Sequence, residues 1–330
     1  MNFAIVLAAG KGTRMKSELP KGSSTVLNKS MVEYSVSALE KIGVDKIVTV
    51  VGYKKEIIMD ILKNHNVDFA EQVVLNGTAK AVESAKDILS SLDGNTIITP
   101  CDMPLLSSTL FKEVLDYHIS QKNDLTVLSS IVDNPFGYGR IVRDKNNNFL
   151  SITEELDATL EIKKIKEVNS GVFVVCNKLL FEALSKVSNN NKKQEYYLTD
   201  IVSIILSMNK KVDAYIYKNS FEVIGVNDTE HLKLAEQVLN QKIIESHRSN
   251  GVIINGNNIL IGPDVAISSG VTIGNNVSIF GESEIGENTK INENTYIDNS
   301  IIGKNVLITN STIKNKKIND NTIILNQNIE

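Results

Sequence analysis

Close to its N-terminus the chain collects groups suited to phosphate chemistry. An apolar run, Phe3-Ala4-Ile5-Val6-Leu7, leads directly into Ala8-Ala9-Gly10-Lys11-Gly12-Thr13-Arg14. The run reads as a buried strand, and the glycines permit a tight turn whose backbone N–H groups can approach a phosphate. Lys11 and Arg14 add positive charge, and Lys21 follows after Leu19-Pro20. A long basic loop after a strand is equipped to hold polyphosphate. The motif lacks the third glycine of a dinucleotide fingerprint and the Gly-Lys-Ser/Thr ending of a P-loop, so it belongs to neither.

Composition narrows the class of protein. The chain has 330 residues, enough for two domains, and 42% apolar content can supply their cores. Its net charge of −4 provides no general basic surface, so nucleic acid and membranes are not expected partners. The two cysteines, Cys101 and Cys176, have neither metal-like nor disulfide-like spacing. The N-terminus enters a strand without a basic leader, and no apolar stretch reaches the ~20 residues of a membrane span. These features predict a reduced, cytoplasmic protein.

The elements that must position the basic loop alternate in type. Lys46–Val51, Thr96–Thr99, Leu125–Leu128 and Gly171–Val175 read as strands, with helical patterns over Met31–Lys41 and Lys54–Asn64. Such alternation predicts an α/β, largely parallel sheet covered on both faces, with ligands beyond the carboxyl ends of the strands. Residues 1–227 form this part. Residues 228–250 read as a polar linker helix, Asp228 being its N-cap and Leu232, Ala235, Leu239 and Ile243 sharing one face.

Residues 251–330 change period. Ile261, Ile267, Ile273, Ile279, Ile285, Ile291 and Ile297 recur every six residues. A hexapeptide period stacks three short strands per triangular coil with the isoleucines inside, and about four coils fit. The period shortens at Ile302 and resumes unevenly at Ile308, Ile313, Ile318 and Ile324, which predicts a loosened or capped end.

The N-terminal Leu-Ala-Ala-Gly-Lys-Gly-Thr-Arg-Met with its following Leu-Pro-Lys resembles the signature of sugar-nucleotide pyrophosphorylases. Joined to a linker helix and a hexapeptide repeat, the whole chain resembles the bifunctional N-acetylglucosamine-1-phosphate uridylyltransferase/glucosamine-1-phosphate acetyltransferase family. Further motifs agree in order: Glu71-Gln72 before Asn76-Gly77-Thr78-Ala79, Pro100-Cys101-Asp102-Met103-Pro104, Gly137-Tyr138-Gly139-Arg140-Ile141 and Thr153-Glu154. Glu167-Val168-Asn169-Ser170-Gly171, Glu195-Tyr196-Tyr197-Leu198-Thr199-Asp200 and Gly225-Val226-Asn227 complete them.

The resemblance implies a Rossmann-like nucleotidyltransferase domain, a linker helix and a short left-handed parallel β-helix. It implies Mg²⁺-dependent attack of N-acetylglucosamine 1-phosphate on the α-phosphorus of UTP, giving UDP-N-acetylglucosamine, a cell-wall precursor, and pyrophosphate. Two anions must be aligned and their charge neutralised. Arg14 and Lys21 match the family's basic catalytic residues, and Asp102 and Asn227 match its metal ligands, both offering the oxygen donors a hard cation prefers. Leu7, Ala8, Ala9, Gly10, Gly12 and Thr13 fall on the nucleotide turn. Gln72, with Gly77 and Thr78, is expected to read uracil, because an amide can donate and accept at once. Gly139, Glu154, Asn169, Glu195, Tyr197 and Thr199 are the expected sugar contacts. A homotrimer is implied as well.

The chain departs from the family pattern in three stretches: Gly22-Ser23-Ser24-Thr25-Val26-Leu27-Asn28-Lys29 stands where the family has an apolar pair, a histidine and a later glycine-lysine, Ala79-Lys80 stands for glycine-histidine, and Leu156 for a basic residue. The family's acetyltransferase histidine has no counterpart, since no histidine occurs between residues 251 and 330. Acetyl transfer is therefore expected to be absent. Two other readings are a pyrophosphorylase for another sugar or base, and a non-catalytic trimeric scaffold.

Overall fold

The structure is a computed structural model and describes residues 1–12, 18–223 and 225–330. Thr13 and Arg14, expected in the phosphate turn, lie outside the described residues. The chain divides into two units, Met1–Ser24 with Ser30–Thr229 and Thr25–Lys29 with Glu230–Glu330.

The strands preceding the long helix are β1 (Asn2–Leu7), β2 (Thr25–Val26), β3 (Lys29–Ser30), β4 (Lys46–Val51), β5 (Asp68–Glu71), β6 (Asn95–Pro100), β7 (Leu125–Ile131), β8 (Arg140–Arg143), β9 (Phe149–Thr153), β10 (Glu167–Cys176) and β11 (Val212–Tyr217). The main sheet runs β11-β7-β10-β6-β1-β4-β5, with β8 pairing β10 and β9. β1 is parallel to β4 and β6, β4 to β5, and β11 to β7. β10 alone reverses direction within this path, antiparallel to β6 and β7, and its register shifts between Asn169 and Phe173.

Period-two alternation divides β1 between two cores. Phe3 and Ile5 face one cluster with Val82, Leu180 and Ile201, whereas Ala4 and Val6 face another with Val32, Val36 and Phe111. Each fully buried residue of this size contributes roughly 1.5–3 kcal/mol. The helix Met31–Lys41 starts at Ser30, where the Ser30 and Glu33 side chains form a capping box. The helix expected over Lys54–Asn64 is shorter, Lys55–Ile61, because Lys54 is left-handed at φ 47° and Leu62 already leaves the helical geometry.

In the second unit the helix Thr229–Ser249 buries Ala235, and Ile243 and Ile244 pack on the repeat core. Residues 25–29 belong here. Leu27 is fully buried, its N–H donates to Glu236, and the Lys29 ammonium bonds both carboxylate oxygens of Asp264 at 2.9 and 3.0 Å. Asn28 sits at φ 64°, a left-handed position that asparagine tolerates, so its replacement of glycine preserves the turn.

The repeat is a parallel β-helix of three sheets, two with five strands and one with four. Ile261, Ile279, Ile297, Ile313 and Ile329 stand in register down one sheet. The expected loosening after Ile302 does not occur. Coil length falls from 18 residues to 16, yet Ile302 still pairs Ile318 and Ile308 pairs Ile324. Residues are lost from turns while the strands keep register, and more than four coils fit. Left-handed asparagines mark one corner, where Asn258, Asn276 and Asn294 pass hydrogen bonds from coil to coil at 3.1 Å.

Candidate active site

The end of β1 lies between its two parallel neighbours. Leu7 stands opposite Val50 and Pro100, the Ala8 N–H donates to the Val50 carbonyl, and the Cys101 N–H donates to the Leu7 carbonyl. Ala8 and Ala9 are buried as the chain leaves the sheet. Gly12 has φ +67°, and a Cβ there would sit 2.8 Å from the Lys21 Cβ. Only glycine suits that conformation and approach. The Lys21 N–H also donates to the Gly10 carbonyl at 3.3 Å. The turn therefore serves to hold Lys21.

Gly22 extends this restraint. It is buried where a Cβ would come within 3.1 Å of the Cys101 sulfur and 3.3 Å of Val32. Lys21, one residue earlier, is thereby aimed across the strand ends. Its ammonium donates to Asp102 Oδ2 and, at 3.0 Å, to Asn227 Oδ1. Asp102 follows β6, and its carbonyl accepts from the Val226 N–H at 2.7 Å. The Asn227 Nδ2 donates to the Gly225 carbonyl, which orients Oδ1 toward Lys21. Three residues from three parts of the chain thus share one cation position.

A cavity of about 290 Å³ opens beside them. Leu7, Ala9 and Gly10 line one side, Gln72, Gly77 and Thr78 another, and Lys21, Asp102 and Glu195 complete its polar wall. Its size is near the lower end for small-molecule sites, ~300 Å³. Gln72 is buried, and its Nε2 already donates to the Gly77 carbonyl at 3.0 Å. Gly77 adopts φ +128°, where a Cβ would fall 2.3 Å from the Tyr196 carbonyl oxygen. Thr78 Oγ1 accepts from the Leu198 N–H at 2.9 Å, so this side chain fastens two loops together.

The segment from Glu195 to Thr199 continues to the expected sugar residues. Thr199 Oγ1 donates to Glu154 Oε1 at 3.0 Å, and the Asn169 N–H donates to the Gly139 carbonyl at 2.9 Å. A Cβ on Gly139 would meet Ile152 at 2.9 Å, with Glu154 and Asn169 just beyond. Burial pushes the Glu154 carboxyl above its usual range, against the opposing effects of Thr199 and Lys193. Burial, followed by Asp157 and Glu154, raises Tyr197 to about 12, so its phenol stays protonated at neutral pH. Tyr197 is itself buried. Glu195 is set apart from these, on the wall of the 290 Å³ cavity.

Residues 4–195 match the family described as the MobA-like NTP transferase domain. The bifunctional protein GlmU of Streptococcus sanguinis (strain SK36) is 41% identical over 324 residues, covering 98% of this chain and 70% of that protein. The same-named protein of Streptococcus thermophilus (strain ATCC BAA-491 / LMD-9) is 40% identical over 318 residues, 96% of this chain and 69% of its own length. The chain belongs to the GlmU family.

Nucleotidyltransferase chemistry gives the strand-end geometry its setting in this GlmU-family chain. Leu75, Ala81, Pro100 and Cys101 also line the cavity, without a role expected for any of them. Pro100 and Cys101 fall inside the Asp102 motif, whereas Leu75 and Ala81 lie close to the Gly77-Thr78 motif. Cys101 is not a candidate nucleophile, since burial, then the Asp102 charge, pushes its thiol up to about 12. Lys80, at the position where the family has histidine, lies 4.9 Å from the Tyr196 ring centroid and pairs with Glu83 at 2.5 Å. Beside Leu156, positive charge comes from another loop: Lys192 donates to the Leu156 carbonyl, and Lys193 acts on Glu154. Arg140 is almost fully buried in an ion pair with Glu155 at 2.6 Å and supports the Gly139 turn.

Proposed function

We propose that the chain transfers a uridylyl group from UTP to N-acetylglucosamine 1-phosphate, forming UDP-N-acetylglucosamine and pyrophosphate. The observation that carries this reading is the convergence of Lys21, Asp102 and Asn227 on one cation position, with Lys21 and Asp102 lining the cavity beyond β1 and β6. The sugar-phosphate oxygen attacks the α-phosphorus, the bond to the β-phosphate oxygen breaks, and pyrophosphate leaves. Lys21 supports that departure by facing negative charge on the triphosphate, with Arg14 assigned the same task from the sequence. Gln72 and the Gly77 turn orient the base, while Glu154, Asn169 and Thr199 receive the sugar hydroxyls and acetamido group.

The residues present suit a divalent cation. Asp102 and Asn227 supply hard oxygen donors already gathered around one positive charge, and a small cation keeps several waters besides. When bound there, Mg²⁺ would screen the triphosphate charge. Among the described residues there is no cluster of three or more His, Cys, Asp or Glu side chains for a metal. Two protein oxygens leave the remaining positions of an octahedral cation to water and phosphate oxygens.

Residues 1–227 are proposed to carry the reaction, 228–250 to link, and 251–330 to assemble a homotrimer. Exposed Ile253, Ile301, Ile323 and Leu325 on the β-helix support assembly, because closed symmetry would remove them from water. Light scattering should report three chains. Acetyl transfer is not assigned to this 330-residue chain, and coenzyme A release tests that. No helix among the described residues is long and apolar enough to cross a membrane, and we retain the cytoplasmic assignment. The decisive assay for substrate identity is mass spectrometry of products from a panel of nucleoside triphosphates and sugar 1-phosphates. UDP-N-acetylglucosamine should dominate, and preferential formation of another sugar nucleotide would replace this reading with that of a related pyrophosphorylase.

A further inference from the structure

Asp102 Oδ2 and Asn227 Oδ1 both accept from the Lys21 ammonium, although they are the two protein oxygens assigned to a divalent cation. The arrangement is held from several sides. The Lys21 backbone is tied to Gly10, its Cβ abuts Gly12, and the amide of Asn227 is oriented by Gly225. Lys21 and Asp102 are each mostly shielded from water, with side-chain exposures of 16% and 17%. An ammonium so placed competes with a metal ion for Asp102 Oδ2 and Asn227 Oδ1. Two cations drawn to the same carboxylate oxygen repel each other, so the ammonium disfavours a metal ion beside it.

We propose that Lys21 is a resident stand-in for the divalent cation, closing the Asp102–Asn227 position until a triphosphate arrives. This rests on the assignment of those two oxygens as metal donors. A bound triphosphate supplies the ammonium with new anionic partners, so Lys21 turns from the carboxylate toward phosphate as the two oxygens are released. Metal and nucleotide therefore enter together, and the nucleotide-free protein binds metal weakly. One residue excludes the metal in the resting site and stabilises the phosphates in the loaded one.

The test is Mn²⁺ binding to the nucleotide-free full chain, followed by paramagnetic resonance of free Mn²⁺, for wild type, Lys21→Met and Lys21→Gln. Both variants should bind one Mn²⁺ roughly tenfold or more tightly than wild type, within the usual range for coupled ligands. Adding Asp102→Asn to Lys21→Met should abolish the gain. Unchanged affinity in both single variants overturns the proposal, as does tight binding that survives loss of Asp102. Wild-type turnover with Mn²⁺, measured in parallel, separates the two readings. An active wild type with unchanged variant affinity removes only the stand-in role, whereas tightened binding without turnover retains it and removes the proposed reaction.

Discussion

In the first unit the contacts that build the site join residues far apart in the chain. Lys21 meets Asp102 at a separation of 81 residues and Asn227 at 206, and Leu198 meets Thr78 at 120. In the second unit the side-chain contacts between coils recur at 16 to 18 residues, as in the asparagine corner and the Ser283–Ser300 bond. Each isoleucine in the inner coils of the repeat has equivalents above and below it, so its loss is shared among similar neighbours. Lys21, Asp102 and Asn227 have none. The proposed chemistry rests on unrepeated, long-range contacts, and the architecture of the repeat on repeated short-range ones.

The sharpest way to break that contrast is to remove a single unrepeated group. Asp102→Ala should lower turnover by about 10²–10³-fold, the effect of losing one charge-stabilising contact in a shielded site. Steady-state kinetics at saturating Mg²⁺ checks this, and near-normal turnover would sink the assignment. A smaller but sizeable effect is expected from acid. His118 is buried against Thr126, and burial lowers its pKa to about 4 from an ordinary 6.5, with Asp124 opposing. Its folded pKa is depressed, so the unfolded chain takes up the proton first. Stability is intact above pH 6.5 and is lost as pH falls toward 4, by up to about 3 kcal/mol. No histidine lies between residues 251 and 330. Denaturant melts from pH 7 to 4 should therefore show His118→Gln with a flatter profile than wild type; parallel profiles would exclude this role.

Gly77→Ala tests backbone strain at the nucleotide loop. The left-handed conformation alone should cost roughly 1–3 kcal/mol, and the clash with Tyr196 adds to it. Thermal melting and the UTP KM should both worsen, and an unchanged KM would detach this loop from nucleotide binding. Ile279→Val in the repeat is the mild counterpart. It should lower the melting temperature through a loss of roughly 0.5–1.5 kcal/mol while leaving kcat untouched. A fall in kcat would show that the repeat takes part in the reaction.

Legibility follows the same division. The buried runs of β1, β4 and β6 and the isoleucine period were readable because each repeats a short local rule. The shrinking coils were not, since the sequence shows a lost residue without showing that a turn absorbs it. Thr25–Lys29 grouped with the second unit because of Leu27–Glu236 and Lys29–Asp264, pairings that no local pattern announces. Around the cavity, motifs named Gln72, Thr78 and Lys21 but could not show what each touches. Gln72 turned out to hold Gly77, Thr78 to hold Leu198, and Lys21 to occupy a position expected for a metal.

The division between the units is tested most directly by pyrophosphate release from UTP and N-acetylglucosamine 1-phosphate, compared in one assay for wild type, Asp102→Ala and Ile279→Val. Wild type and Ile279→Val should release pyrophosphate at equal rates, and Asp102→Ala should fall by at least two orders of magnitude, about 2.7 kcal/mol or more. A silent wild type, or an Asp102→Ala variant that keeps pace with it, would contradict the account.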